Sequence, residues 1–118
     1  NITKLQANNS VEEVITILLA GNEKDFVVVE NEKIIGVLTQ KDVIKNAKTP
    51  SMIVGDIMQR KFKTVDVSME ISKVLEMIGK EKNNFYPVVE NGLLVGAIDT
   101  TNISEFILIK TSSLDKVE

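Results

Sequence analysis

The chain has 118 residues, 43% hydrophobic and 26% charged, with a formal net charge of −3, which suits one compact domain and not a general nucleic-acid binder, since such domains carry a basic excess that displaces counterions from phosphates. It contains neither cysteine nor histidine, so disulfides, thiolate chemistry, cysteine or histidine metal sites and histidine acid–base catalysis are excluded. No apolar stretch reaches the length that spans a bilayer; the chain opens at Asn1 without an initiator methionine or a signal-peptide pattern, so a processed or excised piece is expected, and a cytoplasmic location is expected, with which the lack of cysteine is compatible.

The first elements are predicted from spacing. Ser10 with Glu13 three residues on is a capping-box signature, and it opens a helix whose Val11, Val14, Ile15 and Leu18 share one face. Phe26-Val27-Val28-Val29 is an apolar, β-branched run that reads as a buried strand. Asn31-Glu32 marks a turn, Ile34 to Leu38 returns as a second strand, and a helix is expected from near Thr39. Lys48-Thr49-Pro50-Ser51 marks a connection, and Val54-Gly55-Asp56-Ile57-Met58 a short helical turn. Arg60-Lys61-Phe62-Lys63 is the densest basic patch and holds the chain's single arginine.

The second half repeats the first. Ile71, Val74, Leu75 and Ile78 form a helix face, and Tyr86-Pro87-Val88-Val89 forms a strand. Pro87 lacks an N–H and is expected at a strand start or an edge. Asn91-Gly92 is a strong hairpin signal, because both residues accept the positive φ of a type I′ turn. Leu93 to Ile98 returns, and a helix carrying Ile103, Phe106, Ile107 and Ile109 is expected from near Asp99, apolar enough to enter a core or meet a partner. The tail from Thr111 to Glu118 is polar and expected to fray.

The two halves match at one fixed offset of sixty residues. Val28-Val29-Glu30-Asn31 recurs as Val88-Val89-Glu90-Asn91, Gly36 as Gly96 and Val14 as Val74, with no gap between. An offset that preserves a helix face, a strand and a glycine together is the signature of an internal duplication. The expected architecture is α/β (α+β): two β-α-β-β-α repeats. One copy of about fifty residues is marginal alone, so the two are expected to pack through their sheets about a pseudo-twofold axis, leaving two related clefts. The expected boundaries are 1–48 for the first repeat, 49–57 for a linker, 58–110 for the second repeat and 111–118 for the tail.

These residues resemble tandem cystathionine β-synthase (CBS) domains, the pair often called a Bateman module. The most specific piece is Gly36-Val37-Leu38-Thr39-Gln40-Lys41-Asp42, which follows the family pattern of glycine, two hydrophobics, threonine or serine, two variable residues and aspartate. Gly96-Ala97-Ile98-Asp99-Thr100-Thr101-Asn102 departs from it at two positions. Tyr86-Pro87-Val88-Val89 and Gly55-Asp56-Ile57-Met58 are also typical of such modules.

The resemblance implies a regulatory module that is not an enzyme and binds an adenosine-containing ligand, AMP, ADP, ATP or S-adenosylmethionine, in the cleft between the repeats. It implies a ligand set of Thr39, Lys41, Asp42, Met58, Arg60, Phe62, Lys63, Asn83, Asn84, Phe85 and Tyr86. Asp42 would accept the ribose hydroxyls and Thr39 would sit beside phosphate. A second, weaker site would draw on Ile2, Thr3, Lys24, Asp25, Asp99 and Asn102. There Asp99 replaces the threonine, and two unit charges about 4 Å apart repel by roughly 1–4 kcal/mol. No metal and no resident cofactor are expected.

Simpler readings stand beside these. Thr39 with Asp42 is also a helix cap, Asp99 an ordinary N-cap, and the Arg60 patch a solvated basic turn. Met52, Met58, Met69 and Met77 are packing residues by preference. The alternative function is a dimerisation or protein-interaction module whose nucleotide sites are vestigial. A homodimer is expected, through helix surfaces placed after Ala20 and after Asn102.

Overall fold

A computed structural model describes residues 3–21, 23–81 and 85–99. The chain divides into two compact units, Asn1–Phe62 and Lys63–Glu118.

The first unit opens with the short strand β1 (Lys4–Leu5), followed by helix α1 (Val11–Leu19). Ser10 caps that helix as its spacing predicts. Its hydroxyl accepts from Glu13 N, and the Glu13 carboxylate accepts from Ser10 N. The bond from Ser10 N holds the Glu13 carboxyl below its usual pKa. The hairpin β2 (Asp25–Glu30) and β3 (Lys33–Thr39) follows, with β1 parallel to β2 and the order β1-β2-β3. Asn31 and Glu32 turn the hairpin with φ of 51° and 68°. A short helix, α2 (Gln40–Lys45), and a single turn, α3 (Val54–Ile57), complete the unit.

Phe26, Val28 and Leu38 point from the sheet into a core with Leu5, Val11, Val14, Val43, Val54 and Met58. Val27, Val29 and Val37 are buried as well but lie outside that cluster. The strands are therefore apolar on both faces, which explains why they read as continuous runs instead of an alternation.

The stretch expected as a linker is bound onto this unit. Met52 O and Pro50 O accept from the first helical amides, Val11 N at 2.8 Å and Glu12 N at 3.1 Å. These bonds satisfy donors that a helix start otherwise leaves free. Val54 N and Gly55 N return bonds of 2.8 Å to Asn9 O and Ala7 O. The helical surface expected after Ala20 in fact precedes it, since α1 ends at Leu19 and Ala20 is its cap.

The second unit repeats the pattern: β4 (Val65–Asp66), α4 (Ile71–Lys80), β5 (Phe85–Glu90) and β6 (Leu93–Asp99), in the order β4-β5-β6. Tyr86, Val88 and Ile98 meet Val65 and Val74 in its core. Asn91 and Gly92 turn the hairpin with φ of 52° and 80°, as a type I′ turn requires. Pro87 lies inside β5 and not at its start. The two-residue β4 pairs only from Val88 onward, so at Pro87 only β6 runs alongside. Both hairpins slip register at the same place, between Val28 and Val29 and between Val88 and Val89, which leaves Ile35 and Val95 without an opposite residue. The helix expected after Asp99, with Ile103 to Ile109, and the tail from Thr111 lie outside the described residues.

Candidate functional site

The end of β3 is shaped by a close crossing. Met58 and Gln59 run beside it, where Val37 N donates to Gln59 O at 3.0 Å and Gln59 N donates to Val37 O at 2.8 Å. A Cβ on Gly36 would stand 2.6 Å from Met58 Sδ and 3.1 Å from Gln59 O. Only glycine admits the crossing without displacing one of them. Met58 is 8% exposed and belongs chiefly to the core of the first unit.

Two residues beyond Val37, Thr39 leaves the strand in an extended conformation and caps α2. Its hydroxyl accepts from Asp42 N at 3.3 Å. Asp42 reaches back, and its Oδ2 accepts from Thr39 N at 3.0 Å and from the Thr39 hydroxyl at 2.9 Å. A third donor, Gln59 Nε2, meets the same oxygen at 2.9 Å. Among the described residues no hydrogen bond reaches Asp42 Oδ1. The cap and a ligand role are thus compatible, because the cap consumes one carboxylate oxygen and leaves the other.

The remaining residues of the expected first set are spread. Lys41 is exposed on α2. Arg60 donates from Nη2 to Gly55 O at 2.9 Å, so its guanidinium braces the turn of α3. Phe62 is half-buried at the end of the first unit. Lys63 opens the second unit in an ion pair with Glu81, whose hydrogen bond and charge hold the lysine pKa above its usual value. Phe85 is half-buried in β5, opposite Asp99 of β6.

Tyr86 is fully buried in the core of the second unit. Among the described residues its hydroxyl has no hydrogen-bond partner. Burial raises its pKa above 10.0, with Glu81 adding to the shift and Lys63 opposing it. Asn83 and Asn84 lie outside the described residues.

Of the second set, Thr3 donates its amide to Glu23 Oε2 at 3.2 Å and its hydroxyl to Glu23 Oε1. Lys24 is exposed. Asp25 opens β2 directly opposite Thr39, so residues expected at different sites stand side by side at one end of one sheet. Asp99 is half-buried at the end of β6. Ile2 and Asn102 lie outside the described residues.

Sequence reasoning missed three partners: Gln59 of Asp42, Glu23 of Thr3 and Glu81 of Lys63. Only Gln59 had a signal, its place directly after Gly55-Asp56-Ile57-Met58. Among the described residues no three acidic side chains gather as a metal site, and no helix is long and apolar enough to cross a membrane.

The chain is 26% identical over 115 residues to a homoserine O-acetyltransferase of Methanococcus vannielii, matching 92% of this chain but 23% of that protein. It thus spans about a quarter of that relative's length. Among solved structures it resembles CBSX2 in complex with AMP, with a TM-score of 0.79, 20% identity, and coverage of 94% of this chain and 90% of the other. It also resembles the cytosolic domain of the Mg2+ channel MgtE in complex with ATP, with a TM-score of 0.76, 23% identity, and coverage of 89% and 44%. At such identities the likeness establishes the fold. The CBS domain family matches the chain twice, over residues 1–48 and 54–109. The chain belongs to the CBS domain family and carries the domain as a tandem pair.

Proposed function

We propose that this chain is a regulatory module that binds an adenosine-containing ligand, and that its stronger site is centred on Thr39 and Asp42. The observation that carries this reading is the Asp42 carboxylate. It is held beside Thr39 by a capping box that uses one oxygen and leaves Oδ1 to accept a ribose hydroxyl. An ionised acceptor makes such a bond stronger than a neutral one. Proteins of the same fold hold AMP and ATP, which supports the ligand class. In this reading Phe62, Phe85 and the stem of Lys63 take the adenine ring, with Asn83 and Asn84. Lys41 and Arg60 face the phosphates. Tyr86 contributes through its backbone, since its ring is in the core. The Asp99 site, with Thr3, Lys24, Asp25, Ile2 and Asn102, is the weaker, because Asp99 repels phosphate. The module acts by ligand affinity that differs between two states and not by catalysis.

The test is a thermal shift series with AMP, ADP, ATP and S-adenosylmethionine, with Asp42→Ala as control. A ligand at one hundred times its dissociation constant adds about 2.7 kcal/mol of stability. Asp42→Ala is expected to abolish most of that gain. No shift with any of the four rejects the reading in favour of an interaction module.

A specific observation also favours self-association. Leu19 on α1 is 83% exposed and Ile44 on α2 is 63% exposed, on helices that touch. We propose that a homodimer covers them, and a monomer by light scattering rejects it.

A further inference from the structure

We propose that Gln59 is a second ribose-reading residue, and that with Asp42 it makes the site selective for a vicinal diol. The inference rests on the ligand reading above and adds a specificity determinant to it. Gln59 is exposed, but its backbone is held. Its own N–H and C=O both bond to Val37, at 2.8 and 3.0 Å, two residues before Thr39, and Met58 before it is packed against Gly36. Its side chain is therefore launched from a fixed backbone toward the end of β3.

The chemistry of the contact fixes its direction. An ionised carboxylate only accepts, so the Gln59 amide must turn its nitrogen toward Asp42, as the 2.9 Å bond to Oδ2 has it. The amide oxygen then faces away from that bond. Among the described residues, neither Gln59 Oε1 nor Asp42 Oδ1 accepts a hydrogen bond. The Nε2–Oδ2 bond links the two side chains that carry these acceptors, and two linked acceptors can meet two neighbouring donors. The vicinal hydroxyls of a ribose are such a pair, one for Oδ1 and one for Oε1. A deoxyribose presents one donor to two acceptors and leaves one of them unmatched, and a site built to bond a hydroxyl discriminates against the analogue that lacks it.

Isothermal titration of the full chain with AMP, 2′-deoxy-AMP and 3′-deoxy-AMP tests this, using the wild type, Gln59→Ala, Gln59→Met and Asp42→Asn. Gln59→Met keeps the length of the side chain while removing both polar atoms. Either Gln59 variant is expected to weaken AMP by about 3–10-fold, the loss of one ligand hydrogen bond. One of the two deoxy nucleotides is expected to bind wild type and Gln59 variants alike, because it lacks the hydroxyl that Gln59 would read. Asp42→Asn is expected to weaken AMP and to leave the other deoxy nucleotide less affected. Equal weakening of all three ligands by both Gln59 variants reduces Gln59 to a brace for the loop and overturns the proposal while Asp42 stands. Unchanged binding in both variants overturns it as well. Where AMP does not bind, the same titrations use the ribose and deoxyribose forms of whichever adenosine ligand does; if none of the four binds the wild type, or the one that binds is unaffected by Asp42→Asn, the ligand reading itself falls and this inference with it.

Discussion

The two units share their topology, hairpin length and even the position of the register slip, yet they differ wherever a repeat position carries chemistry. In the first, the strand ends at Thr39, which forms a closed capping box with Asp42. In the second, the strand ends at Asp99. Gly36 is crossed by Met58 and Gln59, whereas among the described residues a Cβ on Gly96 would find only Val88 Cβ within 4 Å, at 3.7 Å. Glu32 takes the positive φ that Gly92 takes in the other turn. Phe26 and Tyr86 occupy one core position and differ by a hydroxyl. Duplication preserved what the fold needs, namely apolar faces, turns and a bulge. The differences fall at a strand end, at a crossing, at one turn position and at one core side chain.

The largest contrast is expected at the paired glycines. Gly36→Ala forces a methyl against buried Met58 and against Gln59 O, which is tied down by two bonds to Val37. Overpacking of this kind costs about 1–3 kcal/mol. Gly96 has negative φ space open to alanine, since only Gly21 and Gly92 among the glycines described have positive φ. Gly96→Ala is therefore expected to raise stability by about 0.4–1 kcal/mol through the unfolded chain. Urea denaturation of the two variants reads both signs, and an equal loss in both would erase the asymmetry claimed for the crossing.

The hairpin turns offer an exchange of about 1 kcal/mol in each direction. A side chain in the left-handed region costs roughly 1–2 kcal/mol, which glycine avoids. Glu32→Gly is expected to stabilise the first unit, offset in part by the entropy of the added glycine, and Gly92→Glu to destabilise the second. Residue-resolved hydrogen exchange separates the two hairpins. A loss of protection around β2 and β3 in Glu32→Gly would show that Glu32 earns its place by some other contact.

Much of this was legible in the sequence for physical reasons that can be named. The Ser10–Glu13 box and the Asn91-Gly92 turn are local, decided within three residues, and both form. The fixed offset carried each unit to the other, so that Asn91-Gly92 in the second marked the turn at Asn31-Glu32 in the first, which lacks glycine. The register slip at Ile35 and Val95 was not legible, because a bulge is a property of two strands together and not of either run. The same limit hid the partners. Gln59 reaches Asp42 across 17 residues, Lys63 reaches Glu81 across 18 and Thr3 reaches Glu23 across 20. Spacing along a helix or strand carries no record of such contacts. The stretch 49–57 read as a linker from its proline and polar residues, but its carbonyls serve the start of α1.

The smallest effect at neutral pH, and the most selective, is expected at Tyr86. Tyr86→Phe gives the second core the residue of the first. Removing a buried hydroxyl without a partner among the described residues should change stability by less than about 1 kcal/mol, with a gain permitted. The difference appears with alkali. The folded pKa of Tyr86 lies above its unfolded value near 10.0, chiefly through burial, so the protonated phenol is the form that folding favours. Its contribution is fully present below pH 10.0 and is lost as pH rises through the raised pKa. Tyr86 is the chain's one tyrosine, and there is no tryptophan or cysteine to obscure it. Phenolate absorbance therefore reports Tyr86 alone and should rise together with the loss of circular dichroism. Lysines titrate in the same range, so the measure is the wild type against Tyr86→Phe. The variant is expected to hold its fold to higher pH. An identical alkaline loss in both would assign that transition to lysines. A loss of several kcal/mol at neutral pH would show that the hydroxyl has a partner after all, and the two cores would then differ by a bond and not by an unmet one.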